Sequence, residues 1–311
     1  MRIVIAGGTG FVGSPLAEVY AEEGQDVRVL TRSLPDGEAR HDPGTGKPGI
    51  TRVGWRPSGD AGRLMQAVDG ADAVVNLAGE SLGDKRWTPQ RKAQLRDSRI
   101  LSTRSLAAAI GAAAAPPRVL VSSSAVGYYG PAGAEPKTEH SPAGTSFLSA
   151  LAADWEAEAR KAEHAGTRVV LLRTGLVLDK AGGALPRMVT PFRFFVGGPL
   201  GSGRQYISWI HRHDVVEMIR WIIETPGVSG PVNATAPHAV TNRDFARALG
   251  RAIRRPSLLP APAFALRLMV GEMADPLLLT GQRVVPTVAQ SHGYHFRYPE
   301  IDIAMRGIFG E

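Results

Sequence analysis

Three glycines spaced three apart, Gly7, Gly10 and Gly13, stand between a short apolar run and a segment whose apolar residues recur at helical spacing. Arg2-Ile-Val-Ile-Ala6 reads as a buried strand, Phe11 to Glu23 as a helix ended by Gly24, and Asp26-Val-Arg-Val-Leu-Thr31 as a second strand. Strand, glycine turn, helix and strand within about 30 residues make a βαβ unit, which commits the chain to a parallel pair. In such a unit the first glycine permits a tight turn. The second lets backbone approach a pyrophosphate, and the third lets helix pack on strand. The helix start adds free N–H groups and partial positive charge. The turn therefore predicts a dinucleotide site at Gly7, Gly10, Phe11, Val12 and Gly13.

The alternation continues along the chain. Ala73 to Ala78, Arg118 to Ser123 and Thr167 to Arg173 read as strands, and Pro89 to Ala115 and Phe147 to Ala165 as helices, the second closed by Gly166. The fold class is α/β, a doubly wound parallel sheet with helices on both faces and every strand's carboxyl end on one edge. From 179 to 206 the sequence is rich in Gly, Pro and Phe with little periodicity, suggesting loops and a short helix over that edge. Asp214 is expected to cap a helix Val215–Glu224, and Pro231–Thr235 to return as a last strand. Thr241 and Asp244 have capping-box spacing before a helix Phe245–Ile253, and the rest is helical with proline breaks. The expected division is a dinucleotide-binding domain over 1–178, to which 207–235 returns, and a small lid or substrate domain made of 179–206 and 236–311.

The end of the second strand discriminates between cofactors. An NAD site usually places Asp or Glu there for the ribose 2′-hydroxyl. This chain has Thr31-Arg32-Ser33, with no carboxylate until Asp36. One guanidinium and two hydroxyls suit a 2′-phosphate, so the expected cofactor is NADP(H).

The glycine pattern, Asn76-Leu-Ala-Gly-Glu-Ser81, Arg86-Trp-Thr88, Asp97-Ser-Arg99, Ser122-Ser-Ser-Ala-Val-Gly-Tyr-Tyr-Gly130, Gly197-Gly-Pro-Leu-Gly-Ser-Gly203, Ser208-Trp-Ile-His211 and Gly281-Gln-Arg283 span nearly the whole chain. Together they resemble the extended short-chain dehydrogenases/reductases (SDRs), and more narrowly the atypical "epimerase family" proteins with a specialised C-terminal domain. The resemblance implies an NAD(P)-binding Rossmann fold with Leu77, Ala78, Gly79, Ser122 and Arg99 around the cofactor. It implies no substrate. Relatives with established chemistry use a Ser or Thr at a strand end and Tyr-x-x-x-Lys on the next helix. There the tyrosine moves the proton and the lysine lowers its pKa.

Ser124 matches that serine. Phe147 or Leu148 stands at the tyrosine position, no lysine follows until Lys161, and Arg99 takes a position usually held by asparagine. Substitutes are few. Glu80 follows a strand end directly and could serve as acid/base, unless an amide or Arg99 satisfies it. Tyr128 or Tyr129 could reach the nicotinamide region. Lys85 and Arg86, with Arg187, Arg193 and Arg204, suggest a small and anionic substrate.

Two functions stay open on this sequence. One is an NADP(H)-dependent oxidoreductase or epimerase with a non-standard proton donor; the other is an inactive cofactor-binding redox sensor or partner-binding module. Cysteine is absent, which excludes disulfides and thiolate chemistry. Gly44-Thr-Gly-Lys47 lacks the other residues of a phosphate loop, and His211-Arg-His-Asp214 has no further ligand cluster, so no metal is expected. The net charge of +7 is dispersed, which argues against nucleic acid. No apolar stretch is long enough for a membrane span, so a cytoplasmic location is expected. The Ala-rich faces of the helices 89–115 and 147–165 would allow a homodimer.

Overall fold

The computed structural model describes residues 1–41 and 49–310. The stretch Gly44-Thr-Gly-Lys47 lies outside the described residues. Ile3, Val4 and Ile5 of the first strand, β1 (Arg2–Ala6), are all fully buried. Their side chains alternate between two cores, Ile3 and Ile5 in one and Val4 and Ala6 in the other. A strand covered on both faces carries no polar side, which is why β1 reads as an unbroken apolar run.

Among the described residues the main sheet has eight strands. The others are β2 (Asp26–Thr31), β3 (Ala39–His41), β4 (Ile50–Gly54), β5 (Ala73–Asn76), β6 (Val119–Ala125), β7 (Arg168–Thr174) and β8 (Gly230–Ala234). Their order across the sheet is β8-β7-β6-β5-β1-β2-β4-β3, parallel throughout except for β3 against β4. The chain runs outward from β1 on one side and restarts with β5 on the other. The reversal between β1 and β5 is where open α/β sheets hold their ligands. Register delivers the site. Ala6 is level with Asn76 and Asn76 with Ser122, so Gly7, Leu77 and Ser123 emerge together at the carboxyl edge.

Helices α1 (Gly13–Glu22) and α2 (Pro89–Ala112) fall where the periodicity places them. Strand β5 stops at Asn76, two residues before the expected Ala78, because Asn76 Oδ1 accepts from the Ala78 amide (3.2 Å) and turns the chain. Helix α2 stops at Ala112, short of Ala115, whose amide is taken by Asp69 Oδ1 at 2.8 Å. Helix α3 (Phe147–Arg160) continues as one 3-10 turn, Lys161–Ala165, before Gly166 reverses it at φ +79°.

Beyond the sheet lie α4 (Leu185–Arg193), α5 (Arg212–Glu224), α6 (Asn242–Ala252), α7 (Ala263–Val270) and α8 (Ile301–Phe309). A separate apolar cluster, including Phe192, Trp209, Phe245, Leu249 and Met305, joins α4, α6 and α8. Thr241 caps α6 as its spacing predicts, accepting from the Asp244 amide at 3.2 Å.

The expected cap of α5 is corrected. His211 caps it, its Nδ1 accepting from the His213 amide at 3.0 Å. Asp214 sits inside the first turn and is buried. Its two oxygens accept from the amides of Arg297 and Tyr298, both at 3.0 Å, fastening the C-terminal segment to α5. Among the described residues no helix is long and apolar enough to cross a membrane. No group of three or more His, Asp or Glu side chains among them could hold a metal ion.

Candidate functional site

At Gly7 the backbone has φ +79°, and a Cβ there would lie 2.7 Å from the Leu77 carbonyl oxygen. At Gly13 a Cβ would lie 2.2 Å from the Gly7 carbonyl oxygen. Both positions therefore exclude every larger residue, the first through conformation and contact with the β5 turn, the second through helix–turn contact. Val12 stands at the N-cap of α1, and an apolar side chain cannot accept from the first amides of the helix. The Ser14 amide is taken by the Gly10 carbonyl at 2.9 Å and Pro15 has no N–H, so the positive end of the helix dipole rather than a row of free amides backs the turn. Close backbone approach and a helix start without a side-chain cap fit a pyrophosphate.

A cavity of about 1040 Å³ opens from this turn. Gly7, Gly10, Phe11, Val12, Gly13, Leu77, Gly79, Arg99 and Ser124 all line it. Ser122 does not. It is fully buried in β6, and its Oγ accepts from Asn76 Nδ2 at 3.3 Å. Ser123, on the opposite face of the same strand, lines the cavity instead. Ala78 is outside the lining but carries the turn that presents Leu77 and Gly79. Thr31, Arg32 and Ser33 lie at the β2 end, away from the main cavity, with the two hydroxyls 2.8 Å apart. Arg32 is exposed and its side chain has no partner among the described residues, while its carbonyl accepts from Arg56 Nη1 at 2.9 Å. This brace on the loop comes from Arg56, just after β4, which sequence periodicity did not single out.

The candidate proton donors are dispersed. The Glu80 carboxylate is paired with the buried guanidinium of Arg91, while its carbonyl accepts from Arg99 Nη2 at 2.8 Å. Glu80 is not on the cavity wall. Arg99, stacked over Trp155 and desolvated by burial, has its pKa lowered to about 10 and keeps its charge. Tyr129 is buried beneath the wall, donating to Asn233 Oδ1 at 2.7 Å and accepting from Arg173 Nη1 at 3.0 Å. Burial pushes its phenol up to about 12. Tyr128 lies under the Arg173 guanidinium, 3.5 Å from it. Neither tyrosine reaches the cavity.

Ser124 differs. Its Oγ donates to Glu156 Oε1 at 2.7 Å, and Glu156 is held by Arg173 through Nε and Nη2, both at 2.8 Å. Glu156 and Arg173 are almost wholly buried. The sequence contains both residues, but only the fold brings α3 and β7 together behind Ser124.

Other basic residues are committed elsewhere. Arg187 on α4 bonds Asp84 Oδ1 at 2.8 Å and the Gly83 carbonyl at 2.9 Å. Arg86 donates to the carbonyls of Leu268 and Met269. Arg193 and Arg204 are exposed and do not line the cavity.

Residues 3–234 match the family model described as the NAD dependent epimerase/dehydratase family. The chain belongs to that family. Residues 261–308 match a second family, a domain of unknown function, DUF1731. The chain is 41% identical over 305 residues to an epimerase family protein of Mycobacterium leprae, covering 97% of this chain and 94% of the relative. It is 36% identical to the mouse epimerase family protein SDR39U1, with 99% of each covered. Among solved structures, human SDR39U1 with NADPH superposes with a TM-score of 0.86 at 34% identity, covering 99% of each chain. A nucleoside-diphosphate sugar epimerase of Corynebacterium glutamicum gives 0.77 at 31% identity, covering all of this chain and 58% of the other.

Within this epimerase/dehydratase framework the usual tyrosine and lysine positions are apolar. Leu148, Leu151 and Ala152 form that stretch of cavity wall. On the same wall Ser124 presents a hydroxyl backed by Glu156.

Proposed function

We propose that the chain binds NADP(H) at the β1/β5 crevice and catalyses reversible oxidation of a secondary alcohol to a ketone, with Ser124 and Glu156 carrying the proton. The single observation behind this reading is the 2.7 Å bond from a cavity-wall hydroxyl to a buried carboxylate. NADPH in the human SDR39U1 structure, the glycine cradle and the unpartnered Arg32 support the cofactor. Gly7, Gly10, Phe11, Val12, Gly13 and Gly79 would hold its body, and Thr31, Arg32 and Ser33 its 2′-phosphate. The segments 179–206 and 236–311 would cover the substrate.

When bound there, NADP(H) would supply or accept the hydride. The chain then has one proton to handle. In the oxidation direction the substrate hydroxyl gives its proton to Ser124 Oγ as the Ser124 proton passes to Glu156 Oε1. The reverse shift delivers a proton to a newly formed alkoxide. Arg173 orients the carboxylate through Nε and Nη2. This division of labour places the base one residue deeper than a tyrosine would stand, behind a small hydroxyl.

A second reading, a cofactor-binding sensor without turnover, draws on the apolar residues at the tyrosine and lysine positions. Deuteride transfer from 4-deuterated NADPH to a panel of ketones separates the two. The enzyme reading expects labelled alcohol from the wild type and at least a hundredfold loss in Ser124→Ala at unchanged NADPH affinity. Tight NADPH binding with no label transfer to any ketone favours the sensor. Undiminished transfer by Ser124→Ala would remove the proton path.

A further inference from the structure

The far half of the cavity carries almost no charge. Among the described residues lining the whole cavity only Arg99 and Arg187 are charged, and both are already engaged by carbonyls, with Asp84 also on Arg187. The wall away from the glycine turn is built from side chains such as Met188, Phe192, Leu249, Leu259, Met269 and Leu277. At the rim the apolar surface continues outward. Leu268 is 79% exposed, Phe194 73%, Met269 65% and Val196 55%, and Val196 and Met269 belong to both rim and wall.

A nucleotide-sugar diphosphate would have to lose its hydration against this wall without a free cation among the described lining residues to receive it. Burying an unpaired charge is far costlier than burying an alkyl chain is favourable. Resting on the redox reading of the site, we infer that the substrate is a neutral ketone or secondary alcohol borne on a long aliphatic chain. The oxygen-bearing carbon would sit at Ser124, and the chain would run along the α4–α6–α7 wall to leave over Met269. The volume of about 1040 Å³, at the upper end for ligand pockets, accommodates such a chain beside a cofactor. The exposed rim then has a role, as the apolar lip over which a chain enters from a micelle or membrane leaflet.

The substrate inference can be tested with the full chain loaded with NADP⁺, titrated calorimetrically with 2-hexanol, 2-octanol, 2-decanol and 2-dodecanol, and separately with UDP-glucose. Affinity is expected to rise three- to fourfold per added methylene, with UDP-glucose weaker than 2-decanol. Met269→Glu changes a residue already exposed, so the fold tolerates it, and it is expected to flatten the rise for the longest members only. A flat series, tighter binding of UDP-glucose, or an unchanged series in Met269→Glu would each overturn the inference. NADPH formation is followed in the same samples. A steep series without NADPH formation would sink the redox reading and leave the chain site standing; a flat series with NADPH formation would do the opposite.

Discussion

Ser124 and Glu156 are joined across the β6–α3 interface by a 2.7 Å hydrogen bond whose acceptor oxygen also receives Arg173 Nε at 2.8 Å. A hydroxyl on the cavity wall is thereby linked to a buried ion pair, and Arg173 extends the chain to Tyr129 and the Glu139 carbonyl. The two members of the pair should respond differently to mutation. Glu156→Gln leaves the Arg173 charge buried and underpaired, and is expected to destabilise by about 3 kcal/mol or more. Ser124→Ala removes one hydrogen bond and should cost only about 1 kcal/mol. Urea unfolding of both variants checks the contrast; equal losses would show that the buried Arg173 charge does not need the Glu156 carboxylate.

Arg32 should decide between the two nicotinamide dinucleotides. Arg32→Ala is expected to weaken NADPH by roughly 10- to 100-fold, the range for a hydrogen bond to a charged group, and to leave NADH unchanged. Fluorescence titration with both nucleotides measures this. An equal change for the two would place the 2′-phosphate elsewhere.

Two glycines of positive or crowded geometry separate conformation from contact. Gly13→Ala puts a methyl 2.2 Å from the Gly7 carbonyl oxygen and is expected to abolish cofactor binding through displacement of the turn. Gly24 has φ +75° with nothing within 4 Å of an added Cβ. Gly24→Ala should therefore cost only the left-handed backbone penalty, about 1–2 kcal/mol, with NADPH affinity intact. Thermal melts with and without NADPH distinguish them.

His211 gives the fold a pH dependence. Burial lowers its pKa to about 4 from the ordinary 6.5. Its folded form is neutral while the unfolded chain takes up a proton below 6.5. The stability associated with neutral His211 is full above that value and is lost as pH falls toward 4, by up to roughly 3 kcal/mol. His211→Asn keeps a capping side chain and removes the titration. The urea midpoint between pH 4 and 6.5 should then fall less steeply than in the wild type; identical slopes would assign the effect to other groups.

The sheet was legible because β1, β5, β6 and β7 are buried on both faces through their middles, where each carries a run of apolar residues. Strand β4 escaped notice because Ile50-Thr-Arg-Val-Gly54 has half-buried polar positions near the sheet edge. The glycine turn could be read residue by residue, since each glycine answers a local steric demand. Ser122 and Ser123 show the limit. The triplet of serines was visible, but which of them faced the cavity followed from strand register. Glu156 lay hidden for a different reason. A carboxylate on a helix with Glu158 two residues on looks like solvated surface until β7 places Arg173 against it. Asp214 likewise has the composition of a cap, and only the distant Arg297–Tyr298 backbone gives it another task.

Phe11 projects from the glycine turn into the segment that follows the sheet. Its ring lies so close to Gly182 and Gly183 that a Cβ on either would come within 3 Å, and the Arg212 guanidinium stacks on it, tethered to Asp179 at 3.2 Å. The glycine turn and the 179–206 segment are thus pinned together through one aromatic ring. If NADP(H) occupies the turn as proposed, widening it would unseat that ring, so release of the dinucleotide would be geared to movement of the 179–206 segment.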